Sequence, residues 1–512
     1  MKSPTFTTKR FLALLASYGA KGPIEHAAPT QHLKEEGSNV TGYEDKAKDR
    51  ALDRWLDRVV KASGSEPVFL FVVVGLVTWA FLGIPYSHTA DWAVIISDVQ
   101  AIVSYVFDSL LMRQQLNEYE KMVRVSASLR SRCISNRRML RELLNDGRRR
   151  RCYQEQQQQQ QQSSSICPTT TPSCESLPRE TLVDRISTAA SKTVGHLASV
   201  CLYWACIAIW LGFGPSEEWS NSWQLAINSA TSALMVFIFA FLANVQERHA
   251  AHTERCLQAI FEHDSAVERA LRAMTGDDVA NETVVVVAPR MSRIQRAILY
   301  YADLVGTLTG VAILTAVMVV WLAIGPVMGF SSNWWLLIGT YAGLVGLNDS
   351  FVLRNVQMLF NGYAQDALDQ VDLDDKSILD QLRLPDPTTT NRRVPTEESI
   401  SYRISAWMGV VCAHEATVVV GFVFILGLLA GASAMRWSTA GQLLCNIPPS
   451  IIETFFMMIL ITGHNQAETK RHHRLETFFL RRSMLLSHVR GMKESEEGQS
   501  LHVFEPKSEK MV

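Results

Sequence analysis

The segment Ser97 to Arg113 reads SDVQAIVSYVFDSLLMR and sets two carboxylates, Asp98 and Asp108, ten residues apart in an otherwise apolar stretch. Two more stand in similar surroundings, Asp349 in LVGLNDSFVL and Glu453 in IPPSIIETFFMMIL. A charge is costly in a soluble core and costlier in lipid, so each of these carboxylates needs a reason. The carboxamides Asn228 and Asn446 and the imidazoles His196 and His414 also fall within or at the edge of apolar runs. Together these donors suit a divalent metal ion of intermediate hardness. Oxygen ligands favour Mn²⁺ and Mg²⁺, imidazole shifts the preference toward Fe²⁺ and Zn²⁺, and the thioethers of Met235 and Met457 would tolerate Cu(I).

What must position these groups is a set of eight apolar runs, at about 67–84, 92–112, 194–213, 223–243, 304–327, 334–353, 408–430 and 440–463. Each has 18 to 24 residues, the length at which a helix crosses a hydrocarbon core of about 30 Å. The overall 47% hydrophobic and 19% charged composition averages these runs with polar connections. The expected fold is therefore an all-α polytopic membrane protein with eight transmembrane helices. A soluble chain with such runs would have too little amphipathic surface to face water.

Four short loops, IPYSHTAD, FGPSEEWSNS, GPVMGFSSN and GASAMRWST, pair the helices into hairpins and contain one basic residue, Arg436. The other 48 of 49 Lys and Arg lie in the termini and the long connections, which places both termini and those connections in the cytoplasm. The expected organisation is an N-terminal tail 1–62, hairpin units 63–115, 183–250, 293–360 and 401–466, connections 116–182, 251–292 and 361–400, and a tail 467–512. His88, Asp91, Glu217 and Glu218 make the outer loops mildly acidic, which would concentrate cations there; simple loop polarity explains them equally well.

The connection 116–182 carries four Arg at 148–151, seven Gln at 156–162 and a Ser/Thr/Pro tract, a composition that reads as a flexible linker. Its arginines fit topology or anionic lipid better than nucleic acid. Nine scattered Cys imply no disulfide framework, and Cys167 and Cys174 no metal site. The N-terminal KRFLALLASYGA resembles a signal sequence, but the charge asymmetry favours an uncleaved cytoplasmic tail. No Walker loop, dinucleotide fingerprint or nucleophile elbow occurs, so the chain reads as neither an enzyme nor an ATP-driven pump, and no resident cofactor is implied.

The hairpins repeat one pattern. Trp79, Gly83, Trp92, Arg113 and Gln115 are spaced by 4, 9, 21 and 2, as are Trp210, Gly214, Trp223, Asn244 and Gln246, and Trp321, Gly325, Trp334, Asn355 and Gln357. An Arg lies 25 residues before the first Trp in each case, and Arg403 opens a fourth unit in which Leu428 and Gly441 replace the Trp pair. Superposed, the second helices share a polar stripe: Ser97, Asn228, Gly339 and Asn446, then Ser104, Met235, Gly346 and Glu453, then Asp108, Phe239, Ser350 and Met457. Steps of 7 and 11 residues at about 100° each return to one helix face, which should point into the bundle.

Asp98 and Asp349 lie about a quarter turn off the stripe, at its edges. On the first helices Ser65, His196, Thr307 and His414 align near the cytoplasmic boundary, with Glu66 and Glu415 opening helices beside them. The candidate metal ligands are thus Asp108, Glu453, Asp349, Asp98, Asn228, Asn446, His196 and His414. Glu66 and Glu415 serve a helix N-terminus as readily as a metal. Pro448 and Pro449 free backbone carbonyls beside Asn446. His249 with His252 could bind metal, but the extensions that carry them, and His472 with His473, read first as solvated helix surface.

SNSWQLAINSATSALMVFIFAFLANVQERHAAH, from Ser220, resembles the signature hairpin of the low-affinity iron permease family, and the stretch from GSEPVFLF through SLLMRQQ is similar to its fungal members. The resemblance implies low-affinity Fe²⁺ uptake across the plasma membrane by a multi-pass protein, driven by gradient and membrane potential, with zinc, copper and cobalt as further substrates. It supplies no ligand set, so the site residues rest on the repeat. Arg113 and His464 depart from the Asn and Gln of the pattern. A monovalent cation or proton channel or carrier, and a membrane scaffold without transport, remain the alternatives. Channel against carrier, and monomer against homo-oligomer, stay open.

Overall fold

The computed structural model describes residues 22–45, 48, 50–86, 90–145, 177–288, 290–387 and 400–503. The expectations for KRFLALLASYGA, for His88, for the side chain of Asp91 and for the Gln-rich tract with Cys167 and Cys174 lie outside the described residues. A short helix, an apolar helix and a very long helix follow one another four times. They are α1 (Ala51–Ser63), α2 (Glu66–Tyr86) and α3 (Ala90–Asn145); α4 (Leu182–Val194), α5 (Leu197–Phe213) and α6 (Asn221–Thr275); α7 (Arg293–Val305), α8 (Leu308–Ile324) and α9 (Ser332–Leu382); and α10 (Ile400–Ala413), α11 (Glu415–Ala434) and α12 (Thr439–Val503). A two-stranded antiparallel sheet, β1 (Ile24–His26) with β2 (Val284–Val286), is the one departure from all-helical structure among the described residues.

Local chemistry explains the breaks between short and apolar helices. Thr181 with Asp184, and Ser292 with Gln295, form reciprocal capping boxes that start α4 and α7. The short helices end at Gly64, Gly195, Gly306 and Ala413, and the chain then turns, by 49° between α4 and α5 and by 64° between α7 and α8. Each turn leaves a backbone carbonyl outside the helical ladder, and a side chain from a neighbouring long helix takes it. Asn244 Nδ2 donates to Gly64 O (2.9 Å), Thr462 Oγ1 to Gly195 O (2.7 Å), Asn355 Nδ2 to Ala413 O (2.6 Å) and Arg113 Nη1 to Gly306 O (3.5 Å). A buried carbonyl left without a donor would cost about 1–3 kcal/mol. Gly64 must lack a Cβ, which would stand 2.6 Å from the Ala243 carbonyl.

These ties run α6 to the first break, α12 to the second, α9 to the fourth and α3 to the third, so they close a ring. The long helices pack in the same order, α3 and α12 each lying against both α6 and α9. The four hairpins therefore surround one axis in the order first, second, fourth, third.

Beyond their apolar stretches the long helices continue together as a four-helix bundle. This corrects the expectation of a flexible connection over 116–182, because residues 116–145 belong to α3. Met122, Val125, Leu129, Leu140 and Leu143 recur at helical spacing and pack against partners such as Leu257, Leu368 and Leu486. Linker-like composition is confined to the stretch after 145. A polar layer crosses the bundle: Arg482 donates to Asp264 (3.0 Å) and Asp375 (2.6 Å), and Cys133 Sγ donates to Asp375 (3.1 Å). Axial slippage would leave one of these buried charges unpaired, so the layer fixes helix register.

The chain is a polytopic membrane protein. Among the described residues five helices, α2, α3, α6, α11 and α12, are long and apolar enough to span a bilayer, and up to seven spans result if the bent pairs α4–α5 and α7–α8 each count as one. The eight expected spans also include α9, whose apolar run carries Gly339, Gly343, Gly346, Asn348 and Asp349.

Candidate functional site

Stacked indoles lock the hairpin tips. Ring centroids are 4.5 Å apart for Trp79 and Trp92, 3.9 Å for Trp210 and Trp223, and 4.1 Å for Trp321 and Trp334. In every pair the first indole N–H donates to the backbone carbonyl of the second Trp. This fixes the register between apolar and long helix, so a residue's distance from the Trp sets its depth in the ring.

Five residues past the second Trp, or its Gly441 counterpart, Ser97, Asn228, Gly339 and Asn446 line one cavity of about 30 Å³, together with Asp98, Gln100, Gly343 and Ser450. All four hairpins contribute. Asn228 Nδ2 donates to Ser97 Oγ at 2.8 Å, and the Thr231 and Ser450 hydroxyls lie 3.1 Å apart. Pro449 cannot bond the Cys445 carbonyl through a backbone N–H, and that carbonyl lies 3.4 Å from where a Cβ on Gly343 would stand. The space exceeds the minimum of about 10–15 Å³ for one water, so it suits an ion stripped of most of its shell.

Next along the axis is Glu453, fully buried, with neither carboxylate oxygen hydrogen-bonded among the described residues. It lies beside Ser104 and against Gly346, where a Cβ would come within 2.8 Å of Oε1. Four residues deeper is the layer of Asp108, also fully buried and, among the described residues, unpartnered at both oxygens. Asp349 accepts from the Tyr301 hydroxyl at 2.5 Å through Oδ1, while Oδ2 has no partner. The three carboxyls are close enough to act on one another electrostatically. Buried carboxylates without donors are stable only when a proton or a cation accompanies them.

His196 and His414 do not join this group. They stand exposed at the helix breaks, where each Nδ1 accepts the backbone N–H two residues on at 3.1 Å, capping α5 and α11. Glu66 is held by Arg248 (2.7 Å) and Glu415 by Ser292 (2.6 Å). His249 and His252, expected on solvated surface, are buried between α6 and α12, a correction whose cause is that α12 continues as far as α6 does and covers that face. Among the described residues no three His, Cys, Asp or Glu side chains are grouped to hold a metal ion. The axis therefore offers separate donors in sequence.

The low affinity iron permease family model matches residues 183–297 and 401–496. The chain is 35% identical over 444 residues to the low-affinity iron/zinc ion transport protein fet4 of Schizosaccharomyces pombe, covering 86% of this chain and 73% of that protein. It is 33% identical over 459 residues to the low-affinity Fe(2+) transport protein of Saccharomyces cerevisiae, covering 85% of this chain and 83% of that one. The chain belongs to the low-affinity iron permease family. No solved structure matches it.

In this family member the stripe runs deeper than the sequence reading took it. Seven residues past the Asp108 layer, Gln115, Gln246, Gln357 and His464 form another buried level on the same helix face. The signal was present as the recurring Gln of the repeat. The other missed function was that of the Arg113, Asn244 and Asn355 column, whose role as ties to helix breaks needs the ring order, which no single hairpin contains.

Proposed function

We propose that this chain carries Fe²⁺, and with it Zn²⁺, copper and cobalt ions, into the cell at low affinity through the axis of the four-hairpin ring. The reading includes eight spans, a plasma-membrane location, cytoplasmic termini and no enzymatic step. The observation that carries it is the line of buried, unpartnered Glu453 and Asp108 carboxyls directly below a polar cavity to which all four hairpins contribute. The transported ions of the two relatives, at 33% and 35% identity, support the choice of metal. Asp98, Asn228, Asn446 and the Cys445 carbonyl would receive the ion, Glu453 and Asp108 would compensate its charge, and Asp349 would adjoin them. His196 and His414 serve as helix caps in this scheme.

The test is uptake of Fe²⁺ by vesicles containing the purified protein. Uptake above that of empty vesicles is expected, and a chain that moves K⁺ or H⁺ but no Fe²⁺ would support the monovalent alternative instead. Topology has its own test. A protease site placed within 156–162 should be cut only after cells are permeabilised, and cleavage on intact cells would refute cytoplasmic connections.

A further inference from the structure

At the deep end of the stripe α6 and α12 bring two imidazoles together. His249 Nδ1 and His464 Nε2 lie 2.9 Å apart, with rings stacked at 12°, and both residues are buried. The Thr188 hydroxyl is 3.1 Å from His249 Nε2. With the ring proton on Nε2 and donated to Thr188, His249 presents the bare Nδ1 lone pair toward His464, which is how an outer partner orients a metal-binding imidazole. Gln246, one turn before His249 and level with His464 in the repeat, is 2% exposed with neither amide atom hydrogen-bonded among the described residues. An isolated histidine pair accounts for the 2.9 Å contact but leaves that buried amide unexplained.

Metal geometry accounts for both. Two nitrogens bound at about 2.0–2.1 Å to a tetrahedral ion are about 3.3 Å apart, so the pair must open by a few tenths of an ångström and turn so that both lone pairs converge on the ion, which displaces the proton between them. The other three hairpins carry Gln115, Gln246 and Gln357 at the level of His464, and the positions equivalent to His249 hold Glu118, Phe360 and Ala467. The imidazole pair thus occurs at one of the four interfaces of the ring. One turn further along α6, His252 stacks on His472 with its Nδ1 unpartnered, which offers a next donor for a departing ion.

We propose that His249 and His464, with the Gln246 carboxamide, hold a first-row divalent metal ion as the last station of the path before the cytoplasm. Two imidazoles and an amide, completed by water, bind without a compensating carboxylate, so the ion is held loosely enough to leave. The proposal rests on the transport reading for its role, while the site itself can be detected without transport.

The experiment adds Co²⁺ and, separately, Zn²⁺ to the purified full-length protein, reading visible ligand-field absorption for the first and X-ray absorption fine structure for the second. Wild type should show a metal with two imidazole ligands. His464→Gln, which installs the residue of the other three hairpins, and His249→Gln should each weaken that site about tenfold or more and cut the imidazole scattering from two rings to at most one. Zn²⁺ uptake is measured on the same wild-type preparation. Uptake without an imidazole-bound metal overturns the station and leaves the transport reading standing. An imidazole-bound metal without uptake does the reverse. The wild-type spectrum requires no variant to fold, and an unchanged spectrum in folded variants would also overturn the assignment.

Discussion

Glu453→Gln and Asp108→Asn are each expected to lower Fe²⁺ uptake by about tenfold or more, equivalent to at least about 1.4 kcal/mol, with the protein present in the membrane at normal abundance. Both substitutions keep size and polarity and remove only the capacity for negative charge. Neither carboxyl has a hydrogen bond of normal geometry among the described residues, and the Ser104 hydroxyl beside Glu453 can be met by the Gln carbonyl, so the substitutions cost little bonding. Removing an uncompensated buried charge usually leaves a fold equally or more stable, so thermal melting should stay level or rise. A purely structural role predicts the opposite pairing, falling stability with activity that follows abundance. Asp98→Asn should do less, since the cavity it lines retains Asn228, Asn446 and Ser97. Normal uptake by both neutralised variants at normal abundance would take the axial carboxyls out of the mechanism.

The axial carboxyls were legible in the sequence because an ionisable group in an apolar helix has few alternatives to facing the bundle interior. Aligning the hairpins on their Trp pairs then brought Ser97, Asn228, Gly339 and Asn446 to one level, and the structure gathers those four side-chain positions around one cavity. Trp spacing could convey this because stacking and the indole hydrogen bonds hold the register the same way in the first three hairpins. Ring order was not legible. It depends on which hairpin's Asn, Thr or Arg reaches which break, and each of those donors could satisfy any of the four carbonyls. His196 and His414 misled for a local reason: a histidine before an apolar helix serves as an N-cap through Nδ1, which looks the same in sequence as a ligand at the membrane boundary. The bundle formed by 116–145 was hidden by its highly charged surface, and only the spacing of Met122, Val125 and Leu129 distinguished it from the tract that follows.

Zn²⁺ and Co²⁺ are expected to compete with Fe²⁺ for uptake at comparable concentrations, whereas Mg²⁺ should compete little. Among the described residues no three His, Cys, Asp or Glu side chains are grouped to hold a metal ion, so in the proposed path no level supplies a cage of such ligands. An ion in the cavity of about 30 Å³ meets amides, hydroxyls and one carboxylate, keeps part of its water and binds weakly. Oxygen donors with no imposed geometry leave first-row ions to sort by intrinsic affinity, which rises from Mn²⁺ toward Cu²⁺. Mg²⁺ should compete little for another reason, since it gives up water reluctantly and demands near-octahedral oxygen ligation. The driving force should be electrical in part: each charge gains about 2.3 kcal/mol per 100 mV of inward-negative potential and Fe²⁺ carries two, so depolarising the membrane should slow uptake with ATP unchanged. Uptake that ignored the potential would refute the electrical driving force, and uptake that held Fe²⁺ selectively against about a tenfold excess of Zn²⁺ would require a closed ligand cage of the kind structural and catalytic metal sites possess and would refute a path built from separate donors.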